Sequence, residues 1–412
     1  MAPSADATTV QVDQFSPPPG ATLIPSSQLD TRSDAEIETW LQTKHPITSD
    51  KNVWAFWHAG WYDMKPWCRR NMINWVRRHG SSWNVHFVDN VEGSETNILN
   101  YVESSWFPEA FNNKTMDGHH LGTHQGDLIR LPLLYLYGGV WLDVGTILFR
   151  HLDDICWKEI EDPNSPYEIG GLLLPLRAEA DSFLNGFIVV KRGNEFIRQW
   201  HEIYTTVWGS RTNQTGFTTH PLLKDVPLPK PTGEQLSFED TKESEEWDWR
   251  SLADYAGHFA CFERLRKTID PNTGFNGPEY YANNFWLAPA MQETYFFQNL
   301  TMWDGTKQFE LLSAKREGVD KDETWQAADS FVNTSLANTA MMKVSHGPGG
   351  TPLPWLANFW DEDKNADKDH EEGTFAAYLR YGSVHFDQVR KIVPVKLEVT
   401  KEPVFNKGYL EE

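Results

Sequence analysis

Residues Gly122–Phe149 read GTHQGDLIRLPLLYLYGGVWLDVGTILF, and they decide the architecture. Thr123 to Tyr137 has the length and apolar spacing of a helix, and Gly138-Gly139 is the stop it needs. Pro132 lies inside that span and is expected to kink the helix or shift its start, because proline has no N–H to donate. After the glycines, VWLDVGTILF reads as one strand. Val140, Leu142 and Val144 would face one side of it, and Trp141, Asp143 and Gly145 the other.

Working outward, NVWAFW (Asn52–Trp57) is an apolar run short enough for a buried strand. PWCRRNMINWVRRHG follows, a helix opened by Pro66 and closed by Gly80. Cys68, Met72, Trp75 and Val76 form its apolar face, while Arg69, Arg70, Arg77 and Arg78 are expected in solvent. NVHFVD (Asn84–Asp89) is a second strand. Strand, helix, strand in so short a span is a βαβ unit, so the chain is α/β with a parallel, nucleotide-binding sheet topology. IGGLLLP (Ile169–Pro175) and NGFIVV (Asn185–Val190) add strands, and GNEFIRQWHEIYTTVW (Gly193–Trp208) an amphipathic helix. The expected organisation is a polar lead-in over 1–50, with a capped helix in Ser33–Lys44, and a core over 51–209. An exposed acidic insertion over 210–250 and a helical C-terminal part over 251–412, completing an acceptor site, follow.

The chain has 412 residues, and its 37 Lys+Arg against 58 Asp+Glu give a formal charge of −21. That balance argues against gripping a nucleic-acid backbone or an anionic membrane by charge. Cys68, Cys156 and Cys261 are scattered and odd in number, which fits neither a disulfide framework nor a zinc site. No basic start precedes an apolar run, and no span approaches membrane-crossing length, so the expectation is a soluble, cytoplasmic protein. The 19 Trp read first as core and second as stacking surfaces for a base, a sugar or an apolar acceptor.

The chemistry is expected around Asp143. A carboxylate in an apolar strand is costly to bury unless paired or bound to a ligand, and at the carboxyl end of a parallel strand it points into the ligand crevice. Gly145 beside it would let a ligand approach the backbone. Asp127 and Arg130, at i and i+3, share a helix face and can converge on the same crevice. There is no GxSxG, no GxxxxGK[ST], no HExxH and no GxGxxG after a strand. A competing cluster, Asp117, His119, His120, His124 and Asp127, has ligand-type residues without a standard zinc spacing.

The run GDLIRLPLLYLYGGVWLDVGT resembles the SDxxRxxxLYxxGGxWxD signature of capsular-polysaccharide-synthesis-type glycosyltransferases. These are related to the α-mannosyltransferases and clostridial glucosylating toxins with a DxD motif. NVWAFWHAGW resembles the family's first strand and NGFIVVKRGNEFIRQW its later block, so the likeness spans about Asn52–Trp208. It implies a GT-A-like mixed sheet flanked by helices, a UDP- or GDP-sugar donor, a hydroxyl-bearing acceptor (small molecule or glycan) and retention at the anomeric carbon. By resemblance, Asp127 and Arg130 would bind the donor sugar, Asp143 the ribose, diphosphate or metal, Trp57 the base, and Asn185 the sugar or diphosphate.

Two positions depart from the pattern. Gly126 stands where the family has Ser, and the DxD position reads Asp143-Val144-Gly145, without its second carboxylate. A divalent cation, Mn²⁺ or Mg²⁺, would then need Asp143 plus a distant ligand, for which His346 in VSHGPGG is a candidate. The expected function is sugar transfer. The alternatives are a catalytically weak sugar-nucleotide-binding protein and a metal-dependent hydrolase built on the histidine cluster.

Overall fold

The computed structural model describes residues 15–118, 120–174, 182–227, 253–346 and 354–412. Strand β1 (Asn52–Phe56), helix α1 (Pro66–His79) and strand β2 (Asn84–Val88) form the expected βαβ unit. The two strands pair parallel from Asn52 opposite Asn84 to Phe56 opposite Val88. Helix α2 (Leu121–Tyr137) leads into β3 (Gly139–Leu142), which lies parallel to β1 with Val53 opposite Val140. Gly138 and Gly139 take φ of +66° and +103°, which L side chains seldom adopt, and this lets the chain reverse directly from helix into strand.

Helix α2 runs unbroken through Pro132. The lost bond to the Leu128 carbonyl is offset by packing, since Leu128, Ile129, Leu131, Leu133 and Leu134 are all fully buried. The strand after it is shorter than VWLDVGTILF suggested. It stops at Leu142, the chain turns at Asp143–Gly145, and Thr146–Leu148 (β4) pairs antiparallel with Met341–Lys343 in a separate ribbon.

Strands β5 (Ile169–Leu174), β6 (Ser182–Val190) and β7 (Phe285–Pro289) complete the main sheet in the order β2-β1-β3-β6-β5-β7. The first three strands are parallel, but β6 is antiparallel to β3 and β5, so the sheet is mixed. It is flanked by helices on both faces, as the α/β reading required. The Met341–Lys343 strand is β8.

Side chains alternate across this sheet with period two. Val53, Ala55, Val140, Leu142, Phe187 and Val189 enter one core with Cys68, Met72, Trp75 and Val76 of α1. Trp54, Phe56, Trp141, Ile188 and Val190 enter the other, with α2, helix α3 (Glu195–Trp208) and helix α4 (Gly257–Arg266). Eleven of the described tryptophans are buried in these two cores, so packing accounts for most of the aromatic excess.

Two sequence readings change here, and one holds. Arg78 is buried, not solvated: its guanidinium donates to the carbonyls of Phe149, Ser383 and Phe386 and to Asp387, tying α1 to the C-terminal part. The start of the expected exposed insertion is packed, since Phe217, Leu222, Leu223 and Val226 are buried against α3. Its acidic run, 238–249, lies outside the described residues. In the lead-in, helix Asp34–Leu41 forms with Ser33 and Glu36 as a reciprocal capping box. Among the described residues, no helix is long and apolar enough to cross a membrane.

Candidate active site

Parallel pairing puts the carboxyl ends of β1, β2 and β3 on one rim of the sheet. Trp57 and Asp143 follow β1 and β3 directly, so both stand there. Antiparallel β6 brings its own residues to the same rim: Leu142 is opposite Phe187, and the Asp143 N–H donates to the Gly186 carbonyl at 3.1 Å. Asn185 is next along. Trp57 is half-buried, and its N–H donates to the Val88 carbonyl.

Beneath the rim lies an ion pair supplied by one helix. Arg130 Nη2 sits 2.9 Å from Asp127 Oδ1, and both side chains are 4% exposed. Arg130 also donates through Nη1 to the Asn185 carbonyl (2.7 Å) and through Nε to the Gly126 carbonyl (3.3 Å). Its guanidinium lies 4.9 Å from the centre of the Trp141 ring. Asp127 is held from several sides. Both hydrogens of the Asn185 amide are engaged, by Asp127 Oδ1 at 3.1 Å and by His258 Nδ1 at 3.0 Å, and the Tyr204 hydroxyl stands 3.5 Å from Oδ2. Burial opposes ionisation of Asp127, but the Arg130 guanidinium, together with His258 and His124, outweighs it and holds the carboxyl far below its ordinary range. Burial pushes His258 down to about 3, so its ring is neutral and accepts at Nδ1.

At the mouth lies a second pair. Asp143 Oδ1 accepts from the Trp141 indole at 2.9 Å, and Oδ2 from Lys343 Nζ at 2.6 Å. Their side chains are 29% and 24% exposed, so this pair faces the crevice while the Asp127 pair does not. Burial works against the Asp143 charge, but Lys343 and then Arg130 keep its carboxyl below the usual range. Lys343 is in turn held above the ordinary lysine value: burial lowers it, and Asp143 more than compensates. Trp141 links the two pairs, with its ring under Arg130 and its N–H on Asp143.

Asp127, Arg130, Asp143 and Asn185 are therefore brought together, with Trp57 on the same rim. Gly145 acts differently from the expectation. A side chain there would collide with the Val344 carbonyl, so its bareness admits β8 and not a ligand. The Gly145 carbonyl also accepts from the Val344 N–H at 2.8 Å. At Gly126, a Cβ would meet only ordinary contacts, so the family's Ser would fit.

The residues present do not fit a divalent cation. Asp143 already carries the Lys343 ammonium, position 145 has no side chain, and His346 Nε2 is held at 2.6 Å by Asp361 Oδ2. Asp361 also accepts from the Trp67 indole at 2.8 Å. Among the described residues, no group of three or more His, Cys, Asp or Glu comes together as a metal site.

The histidine cluster disperses as well. Asp117 accepts from Thr212 and Asn213, His120 packs 4.6 Å from the Tyr255 ring, and His124 is buried beside Asp127. His119 lies outside the described residues.

Sequence reasoning missed Lys343, His258 and Tyr204. Lys343 follows the apolar triplet Ala340–Met342, only three residues before the histidine that attracted notice, a charged strand end that was a usable signal. His258 and Tyr204 sit on amphipathic helices and gave none.

A family model described as capsular polysaccharide synthesis protein matches residues 25–223. The chain is 54% identical over 412 residues to the O-glycosyltransferase braB of Annulohypoxylon truncatum, covering 100% of this chain and 97% of that protein. It is 40% identical over 396 residues to the glycosyltransferase afumC of Aspergillus fumigatus, covering 94% and 99%. It is 37% identical over 386 residues to the O-glycosyltransferase PaGT of Phomopsis amygdali, covering 93% and 94%.

Proposed function

The chain belongs to the capsular polysaccharide synthesis family and is a glycosyltransferase, and from that premise we propose that it takes a UDP- or GDP-sugar at the rim holding Asp143. The observation that supports this is the stack at the carboxyl ends of the parallel strands, where phosphorylated ligands bind in open α/β sheets: Asp143 is partly open at the rim, and Asn185, Asp127 and Arg130 lie directly beneath it.

In this reading Trp57 lies against the base. Asp143 accepts from ribose hydroxyls. Asp127 and Arg130, each 4% exposed, form the floor beneath the donor sugar and fix the Asn185 and Trp141 side chains that border it. In the transfer, the bond from the anomeric carbon to the β-phosphate oxygen breaks and its electron pair stays on the diphosphate. The acceptor oxygen bonds to that carbon, retaining its configuration, and the hydroxyl proton is released to solvent.

The acceptor is a hydroxyl-bearing small apolar molecule or glycan. Beside the rim, the Lys343 N–H donates to the Thr294 carbonyl. From the next residue, a row of half-buried rings leads away: Tyr295 to Trp303 at 5.7 Å, and Trp303 to Trp355 at 5.6 Å. Such a row suits a flat apolar acceptor or a sugar face. Three free, buried cysteines suit a reducing, cytoplasmic setting.

A thermal-shift screen against UDP-, GDP- and dTDP-sugars tests the donor, since a specific ligand stabilises the fold by mass action. Stabilisation by one base, with slow release of free sugar that is lost in Asp143→Ala, is the expected result. Saturable binding with no turnover on any donor or acceptor would support a binding protein instead. Failure of every sugar nucleotide to bind overturns the proposal.

A further inference from the structure

We propose that Lys343 supplies the positive charge that receives the leaving diphosphate, so that transfer needs no bound divalent cation. This rests on the nucleotide-sugar reading above.

Three observations lead to it. First, the ammonium of Lys343 lies 2.6 Å from Asp143 Oδ2, so a positive charge already sits on the single carboxylate of this motif. Second, the missing carboxylate and the arriving lysine are one structural feature. The Val344 carbonyl fills the space that a side chain at 145 would occupy, and the bond from the Val344 N–H to the Gly145 carbonyl fixes β8 with Thr146 opposite Lys343. The strand that excludes a second ligand therefore delivers the lysine. Third, Gly186 keeps the place open: a Cβ there would strike both Lys343 Nζ and the Asp143 carboxylate.

Among the described residues, Asp143 engages one of the three Lys343 N–H donors, which leaves two for phosphate oxygens. A lysine ammonium is a compact point charge well suited to phosphate. A divalent ion on the same carboxylate would have to displace it or sit against a like charge. As the anomeric bond breaks, the diphosphate gains one negative charge, and a fixed ammonium in a sheltered crevice stabilises that charge without reorganising.

The test uses the full chain freed of metal with EDTA. Binding of UDP and GDP is measured by calorimetry with and without MnCl₂, and release of sugar from UDP-glucose and GDP-mannose is followed in parallel. The proposal expects the bound nucleotide's affinity and turnover to be unchanged by Mn²⁺. It expects Lys343→Gln to weaken nucleoside diphosphate binding about tenfold or more and to cut turnover about 100-fold. Lys343→Arg should keep most of the binding, and binding of the uncharged nucleoside should not change in Lys343→Gln.

Activity abolished by EDTA and restored by Mn²⁺ overturns the inference, as does Lys343→Gln binding UDP and GDP like the parent. The metal arm needs no variant, so it decides the matter even if Lys343→Gln does not fold. If the parent chain binds no nucleoside diphosphate and turns over neither sugar nucleotide, the donor reading itself falls, a result distinct from metal dependence.

Discussion

The site holds two ion pairs that differ in almost every physical respect. Asp127 and Arg130 are three residues apart on one helix, almost fully buried, and bound on all sides by Asn185, His258, Tyr204 and backbone carbonyls. Asp143 and Lys343 are 200 residues apart, on different sheets, and about a quarter exposed. The deep pair is shielded and multiply hydrogen-bonded, so removing one partner strands a charge in the interior. The pair at the mouth can exchange its contacts for those of a ligand at low cost. In the proposed reading, one pair builds the floor and the other meets the donor.

The contrast can be broken most directly in the deep pair. Asp127→Ala leaves Arg130 uncompensated and is expected to cost about 3–5 kcal/mol of stability, measured by denaturant unfolding. A variant that unfolds at the parent midpoint would remove the distinction. At the mouth the balance reverses. Asp143→Ala should lower turnover by roughly 100- to 1,000-fold while changing unfolding free energy by about 1 kcal/mol or less, as for a partly exposed pair. A large stability loss with unchanged turnover per folded molecule would place it with the deep pair instead.

Gly186→Ala sharpens the comparison without deleting a charge. Its Cβ would push against two mobile side-chain ends, so we expect a small stability change and about a tenfold loss of turnover as Lys343 and Asp143 separate. Activity equal to the parent would mean that the spacing of the pair is immaterial.

Acid separates the regions more gently. Burial holds His258 and His86 at about 3 and His201 at about 4, whereas the unfolded chain protonates histidine near 6.5. Between those values the unfolded state binds more protons, so stability should fall steadily as pH drops below about 6.5. The depressed carboxyls of Asp127 and Asp143 add their losses only below about 4, the unfolded value, as pH approaches their folded ones. Thermal unfolding from pH 7.5 to 5 measures the first phase, and a flat profile there would contradict the neutral, buried histidines. The smallest expected effect is Trp303→Ala: a several-fold rise in the acceptor KM with donor KM unchanged, because one ring of the row is lost.

The sequence by itself determined the parts governed by local rules. Helix α2, its glycine stop and the alternation of Val140, Trp141 and Leu142 follow from periodicity and φ preferences within about 20 residues. The Asp127–Arg130 pair follows from helical spacing. Tertiary structure decided where the strand after Leu142 ends, because the turn at Asp143 is set by pairing with β8, almost 200 residues downstream. It also turned Arg78 from an expected surface charge into a buried clamp on the C-terminal part, and it filled the space beside Gly145 with backbone. Above all it chose the partner of Asp143. A carboxylate at a strand end announces that it needs a positive charge, but which group answers depends on which distant strand folds against it, and no local pattern encodes that.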